Sequence, residues 1–73
     1  MKKEDFFNSL SEILEIGVEG INESTQLNLT SINILSLIVF IDENFHMTIN
    51  ASEFKKINNI SDLINQIGID KIK

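Results

Sequence analysis

The stretch Ser31-Ile32-Asn33-Ile34-Leu35-Ser36-Leu37-Ile38-Val39-Phe40-Ile41-Asp42-Glu43-Asn44-Phe45 decides the fold. From Ile34 to Ile41 it is apolar except at Ser36, and its β-branched and aromatic content suits a buried strand. Against that, Ile34, Leu37 or Ile38, Ile41 and Phe45 keep helical spacing, and no other segment offers a good second strand. We therefore read a helix over residues 31–45, with Leu37, Ile38, Ile41 and Phe45 turned into the core. Ile32, Leu35 and Val39 form a second row beside the first. That widens the apolar face and predicts a central helix touching several neighbours.

Towards the N-terminus, Phe6, Phe7, Leu10, Ile13, Leu14 and Val18 recur at three- and four-residue steps, with Glu4, Asp5, Glu12 and Glu15 between them. This period predicts an amphipathic helix over 3–16, its early acids favoured by the helix dipole, with Gly17 and Gly20 as stops. From Gly17 to Thr30 the chain is rich in Gly, Asn, Ser and Thr, with Ile21, Leu27 and Leu29 as apolar anchors. It reads as a long ordered loop, and loops of that length are uncommon without a function. Beyond Ile49 a short helical turn is expected over 51–55. Asn59 is a candidate N-cap with Asp62 three residues on, and Ile60, Leu63, Ile64 and Ile67 mark a last helix over 60–67 stopped by Gly68. The sum is an all-α four-helix bundle: three longer helices, one short one and a long first loop.

With 73 residues the chain makes one domain, near the lower size limit for folding without disulfides or metal, and leaves little room for a deep catalytic pocket. It contains no Cys, which removes disulfides, thiolate zinc sites and cysteine nucleophiles, and fits a reducing compartment. Two lysines near the start are followed by no apolar h-region, and no window approaches the length of a membrane span, so a soluble, cytoplasmic monomer is expected. Eleven acidic against six basic side chains give a net charge of -5, which opposes a phosphate backbone and argues against nucleic-acid binding. A basic protein partner suits this surface better. Most of the acids nevertheless read as an ordinary solvated face.

The segment from Leu29 to Ile49 resembles the signature of acyl carrier proteins. In that family an Asp-Ser-Leu triplet opens the second helix, followed by apolar positions at helical spacing, an acidic pair, a Phe and a short Ile-x-Ile-like exit. Here Thr30-Ser31-Ile32 stands in place of the triplet, Asp42-Glu43 matches the acidic pair and Phe45 the Phe. Ile57 to Ile67 resembles the family's fourth-helix entry, and Thr25-Gln26-Leu27 its loop element, so the likeness runs over nearly the whole chain. Thr30 replaces the Asp, the preceding Gly is absent, the first loop is shorter than usual, and Asn33 and Ser36 occupy positions that are often acidic.

The resemblance implies a carrier with a four-helix bundle and no catalysis of its own. Ser31 would hold phosphopantetheine, transferred from coenzyme A by a phosphopantetheinyl transferase. The arm would then carry a thioester-bound cargo, fatty acyl, aminoacyl or polyketide, to loading and processing enzymes. Thr30, Ile32, Asp42 and Glu43 would contact basic docking patches on those partners, and some apolar side chains of the second helix would border an acyl cavity.

Each residue also has a plainer reading. Ser31, as a serine at a helix start, serves as an N-cap, a role Thr30 can share or take over. Asp42 and Glu43 are adjacent, point in different directions and cannot form a catalytic carboxylate pair unaided. His46 stands alone without metal-ligand spacing and fits a surface or helix-end position. Phe6, Phe7, Phe40, Phe45 and Phe54 are core candidates. No nucleophile triad, phosphate loop or metal motif supports an enzyme. The alternative to a loaded carrier is an unmodified helical interaction module, with Ser31 free.

Overall fold

The computed structural model describes residues 1–73, apart from the side chain of Val18, whose expected place on the first apolar stripe lies outside the described residues. Three α-helices, α1 (Lys3–Leu14), α2 (Ser31–Phe45) and α3 (Ile60–Ile67), carry the fold, joined by 3-10 turns at Val18–Gly20, Ala51–Lys56 and Ile69–Lys71. No strand occurs among the described residues; Gln26 and Asn59 form one isolated antiparallel bridge. The segment 34–41 is helical throughout. Helical periodicity therefore prevails over strand propensity, as it should where no partner strand is available.

The amphipathic pattern of α1 buries Phe6 and Leu10, one turn apart, while Phe7, Ile13 and Leu14 pack at the margin of the core. Glu4 and Asp5 lie in its first turn, the end where the helix dipole favours them. The helix ends at Leu14 and not near residue 16: Glu15 adopts a left-handed conformation (φ 57°), and the N–H groups of Glu15 and Ile16 both donate to the Ser11 carbonyl. Those bonds satisfy a carbonyl that would otherwise be orphaned. Neither Gly17 nor Gly20 is the stop.

The ring of Phe6 lies 6.1 Å from Phe40 and 6.4 Å from Phe45, and these last two meet edge to face at 6.2 Å. The start of α1 thus packs on the end of α2. At the opposite end Asn33 Nδ2 donates to the Ile13 carbonyl at 3.3 Å, so the two helices run antiparallel. Leu37 and Ile41 of α2 are wholly buried, Ile38 and Phe45 half-buried. Ile32, Leu35 and Val39 are exposed at 75, 63 and 54%. The wide-face expectation is corrected accordingly: Leu37 and Ile41 face the core with Ile34, Ile38, Phe40 and Phe45 at its margin, the main helical contacts of α2 are with α1 and the 51–56 turn, and the second apolar row faces outward.

The first loop is stitched to α3. Leu27 N–H donates to the Asn58 carbonyl at 2.9 Å, while the N–H groups of Ile60 and Ser61 donate to Thr25 and Glu23 carbonyls at 3.1 and 2.9 Å. Asn59 Oδ1 accepts from Asp62 N–H at 2.9 Å, as its spacing predicts for an N-cap. Three of the four open donors at the start of α3 are thereby satisfied. Ile60, Leu63, Ile64 and Ile67 are buried with Ile21 and Leu27 from the loop and Ile49, Phe54, Ile57 and Ile72 from the later connections. Gly68, at φ 122°, ends the helix where a side chain would be strained. A radius of gyration of 11.0 Å agrees with the value of about 11 Å for a folded chain of this length.

Candidate functional site

The start of α2 is built from two consecutive polar residues, Thr30 and Ser31, and one more in the same turn, Asn33. Thr30 is the N-cap, with an extended backbone (φ -85°, ψ 170°). Its Oγ1 accepts from Asn33 N–H at 3.2 Å and donates to Asn33 Oδ1 at 3.0 Å, while Thr30 N–H donates to the same Oδ1 at 3.3 Å. This is a capping box with Asn in the third helical position. The structure thus gives the cap to Thr30, and Ser31 is the first helical residue. Its side chain is exposed, and the cap bonds pass over it without using its hydroxyl. Because Ile34 N–H is taken by the Thr30 carbonyl, the open backbone donors of this turn are those of Ser31 and Ile32.

From Ser31 the outward face of α2 continues through Ile32, Leu35 and Val39 to Asp42 and Glu43, all exposed. Leu35, Ser36, Val39, Phe40, Glu43 and Asn44 border a shallow groove along it. Spacings of three and four residues bring Ile32, Leu35, Val39 and Glu43 into one stripe, and Asp42 lies beside Val39. Asp42 and Glu43 occupy the last turn, the negative end of the helix dipole, with no basic residue near them in that turn. The ion pair among the described residues joins Lys3 to Glu23 at 2.6 Å and leaves both acids out. An acid at a helix C-terminus lowers helix stability. Neither acid therefore gains stability from its place at the end of the helix.

His46 follows as the C-cap of α2, exposed and left-handed (φ 54°), with its N–H on the Asp42 carbonyl. Among the described residues no group of three His, Asp or Glu side chains stands together as a metal site. Phe6 and Phe54 are buried, and Phe7, Phe40 and Phe45 half-buried. No described helix is long and apolar enough to cross a membrane.

Ser31 and the outward row of α2 were both visible as residues in the sequence, but their juxtaposition on one exposed face was not. Asn33 was missed as a structural element. Its signal was the Thr-x-x-Asn spacing, a capping box written with an amide in place of the usual Glu or Gln. No protein-family model, no curated protein and no solved structure matches the chain.

Proposed function

We propose that the protein is a carrier whose Ser31 holds a phosphopantetheine arm and whose outward α2 face docks the enzymes that load and process the cargo. The observation that carries this reading is the exposed, unbonded hydroxyl of Ser31 at the head of an apolar stripe that ends in two unpaired acids. A phosphate ester fits this position. The open N–H groups of Ser31 and Ile32 and the positive end of α2 favour an anion there, and a phosphate at the first helical residue leaves the Thr30 cap intact. In the attachment, Ser31 Oγ forms a bond to the phosphorus next to pantetheine in coenzyme A. The pyrophosphate P–O bond breaks, adenosine 3′,5′-bisphosphate leaves, and the hydroxyl proton passes to a base of the transferase. When bound, the group supplies a thiol on a long flexible arm, which holds a cargo as a thioester.

The chain's own contribution is to present that arm and to be recognised. Ile32, Leu35 and Val39 supply apolar contact; Asp42 and Glu43 suit Lys or Arg on a partner, an attraction that also speeds encounter. The same stripe supports a second reading, an interaction module that docks by this face with Ser31 unmodified. Intact-mass measurement of the protein from its native host separates the two. A single added phosphopantetheine mass that disappears in Ser31→Ala supports the carrier; an unmodified mass under conditions where other carriers of that host are loaded supports the module.

A further inference from the structure

We infer that Asn33 is a positioning residue for Ser31, holding the first turn of α2 closed through Thr30 and fixing that turn against the end of α1 through Ile13. The inference rests on the reading of Ser31 as the attachment site. Asn33 uses its whole side chain. Oδ1 accepts from both the N–H and the hydroxyl of Thr30, at 3.3 and 3.0 Å, and Nδ2 donates to the Ile13 carbonyl at 3.3 Å. Ile13 lies in the last turn of α1, where carbonyls have no partner within the helix. One half-buried amide thus joins the start of one helix to the end of another across 20 positions of sequence.

Two residues apart on a helix, Ser31 and Asn33 project in different directions, so Asn33 does not reach the reacting atom. It acts through the backbone it holds. With the amide removed, the Thr30 box loses its reciprocal half and the turn loses its tie to α1. Ser31 then keeps its helical geometry in only a fraction of molecules. A transferase that engages the ordered turn meets that fraction, so its apparent affinity falls while the rate in the complex stays the same.

The test measures initial rates of labelling by a phosphopantetheinyl transferase, with coenzyme A and Mg²⁺, against the concentration of the natural chain and three variants. Asn33→Ala is expected to raise KM by up to about fivefold with kcat within about twofold, the full factor of a lost cap appearing only where the turn is left mostly disordered. Asn33→Asp keeps the acceptor for Thr30 but has no donor for Ile13, and falls between when measured at high salt, where its added charge is screened. Asn59→Ala removes the matching cap of α3, far from Ser31 in sequence, and should lower stability with KM unchanged. If Asn33→Ala does not fold, Asn33→Asp carries the comparison. Natural KM in both Asn33 variants, or an equal rise in Asn59→Ala, overturns the positioning role while leaving the carrier reading in place. A natural chain that is never labelled at Ser31 removes the carrier reading, and the positioning role goes with it.

Discussion

Two side chains sit in the left-handed region that favours glycine, Glu15 at φ 57° and His46 at φ 54°, each at the end of a helix. A Cβ in that conformation is strained, and glycine is the usual residue there. Glu15→Gly and His46→Gly are each expected to raise stability by about 0.5–1 kcal/mol, less than the full strain because glycine is also freer when unfolded. Urea unfolding of the two variants checks this, and a lower midpoint in either would show that the wild-type side chain has a compensating contact. Thr30 gives a second residue-scale expectation. Thr30→Asp keeps the cap and adds a charge ahead of Ser31, so labelling by a generic transferase should speed up, with a gain that shrinks as salt screens it over about 10 Å at 0.1 M. Equal rates at low salt would make the substitution neutral. The cap at Asn59 was legible because its spacing to Asp62 has one reading. At Thr30-Ser31 two adjacent hydroxyls competed, and the choice depended on Asn33. The stop at Glu15 had no signal at all, since glutamate has no preference for that geometry.

On α2 the apolar residues divide into a buried row and a bare one, and mutation should feel the difference. Ile41→Ala, at a position with no exposure, is expected to cost about 2–5 kcal/mol. Leu35→Ala, 63% exposed, should stay within about 0.5 kcal/mol. Comparable losses for both would mean that the outward row is covered. Helical spacing marks which residues share a face, but it cannot tell a buried row from an exposed row of equal hydropathy. That is why the ends of α2 were readable and its surroundings were not: a domain this small covers only one side of a 15-residue helix. The acids of the last turn allow a sharper test. Asp42→Asn and Glu43→Gln should each stabilise the fold by about 0.3–1 kcal/mol, by easing an unfavourable dipole contact, while weakening binding to a basic partner enzyme. Residues kept at a cost to stability are those whose removal helps folding and harms recognition, and a loss of both, or of neither, would contradict this role.

Across the whole molecule the net charge is -5, and among the described residues one ion pair forms, its side chains both about half exposed. Such a pair contributes roughly 0–1 kcal/mol, so self-repulsion dominates. Added salt should therefore raise the unfolding midpoint modestly while slowing association with a basic partner, two opposite trends from one cause. A midpoint that falls with salt would locate stabilising charge contacts elsewhere. Element order and most boundaries followed from periodicity and punctuation; the contacts between elements did not, because a loop's carbonyls carry no sequence signature. Residues 23–27 show this best. Their carbonyls and N–H groups complete the start of α3, distant in sequence, so neither partner is finished until the other has arrived. The seam is consequently expected to close late, after the rate-limiting barrier. Substitutions at Thr25 or Leu27 that weaken this seam should leave the folding rate nearly unchanged and hasten unfolding, the kinetic mark of contacts made after the barrier has been crossed.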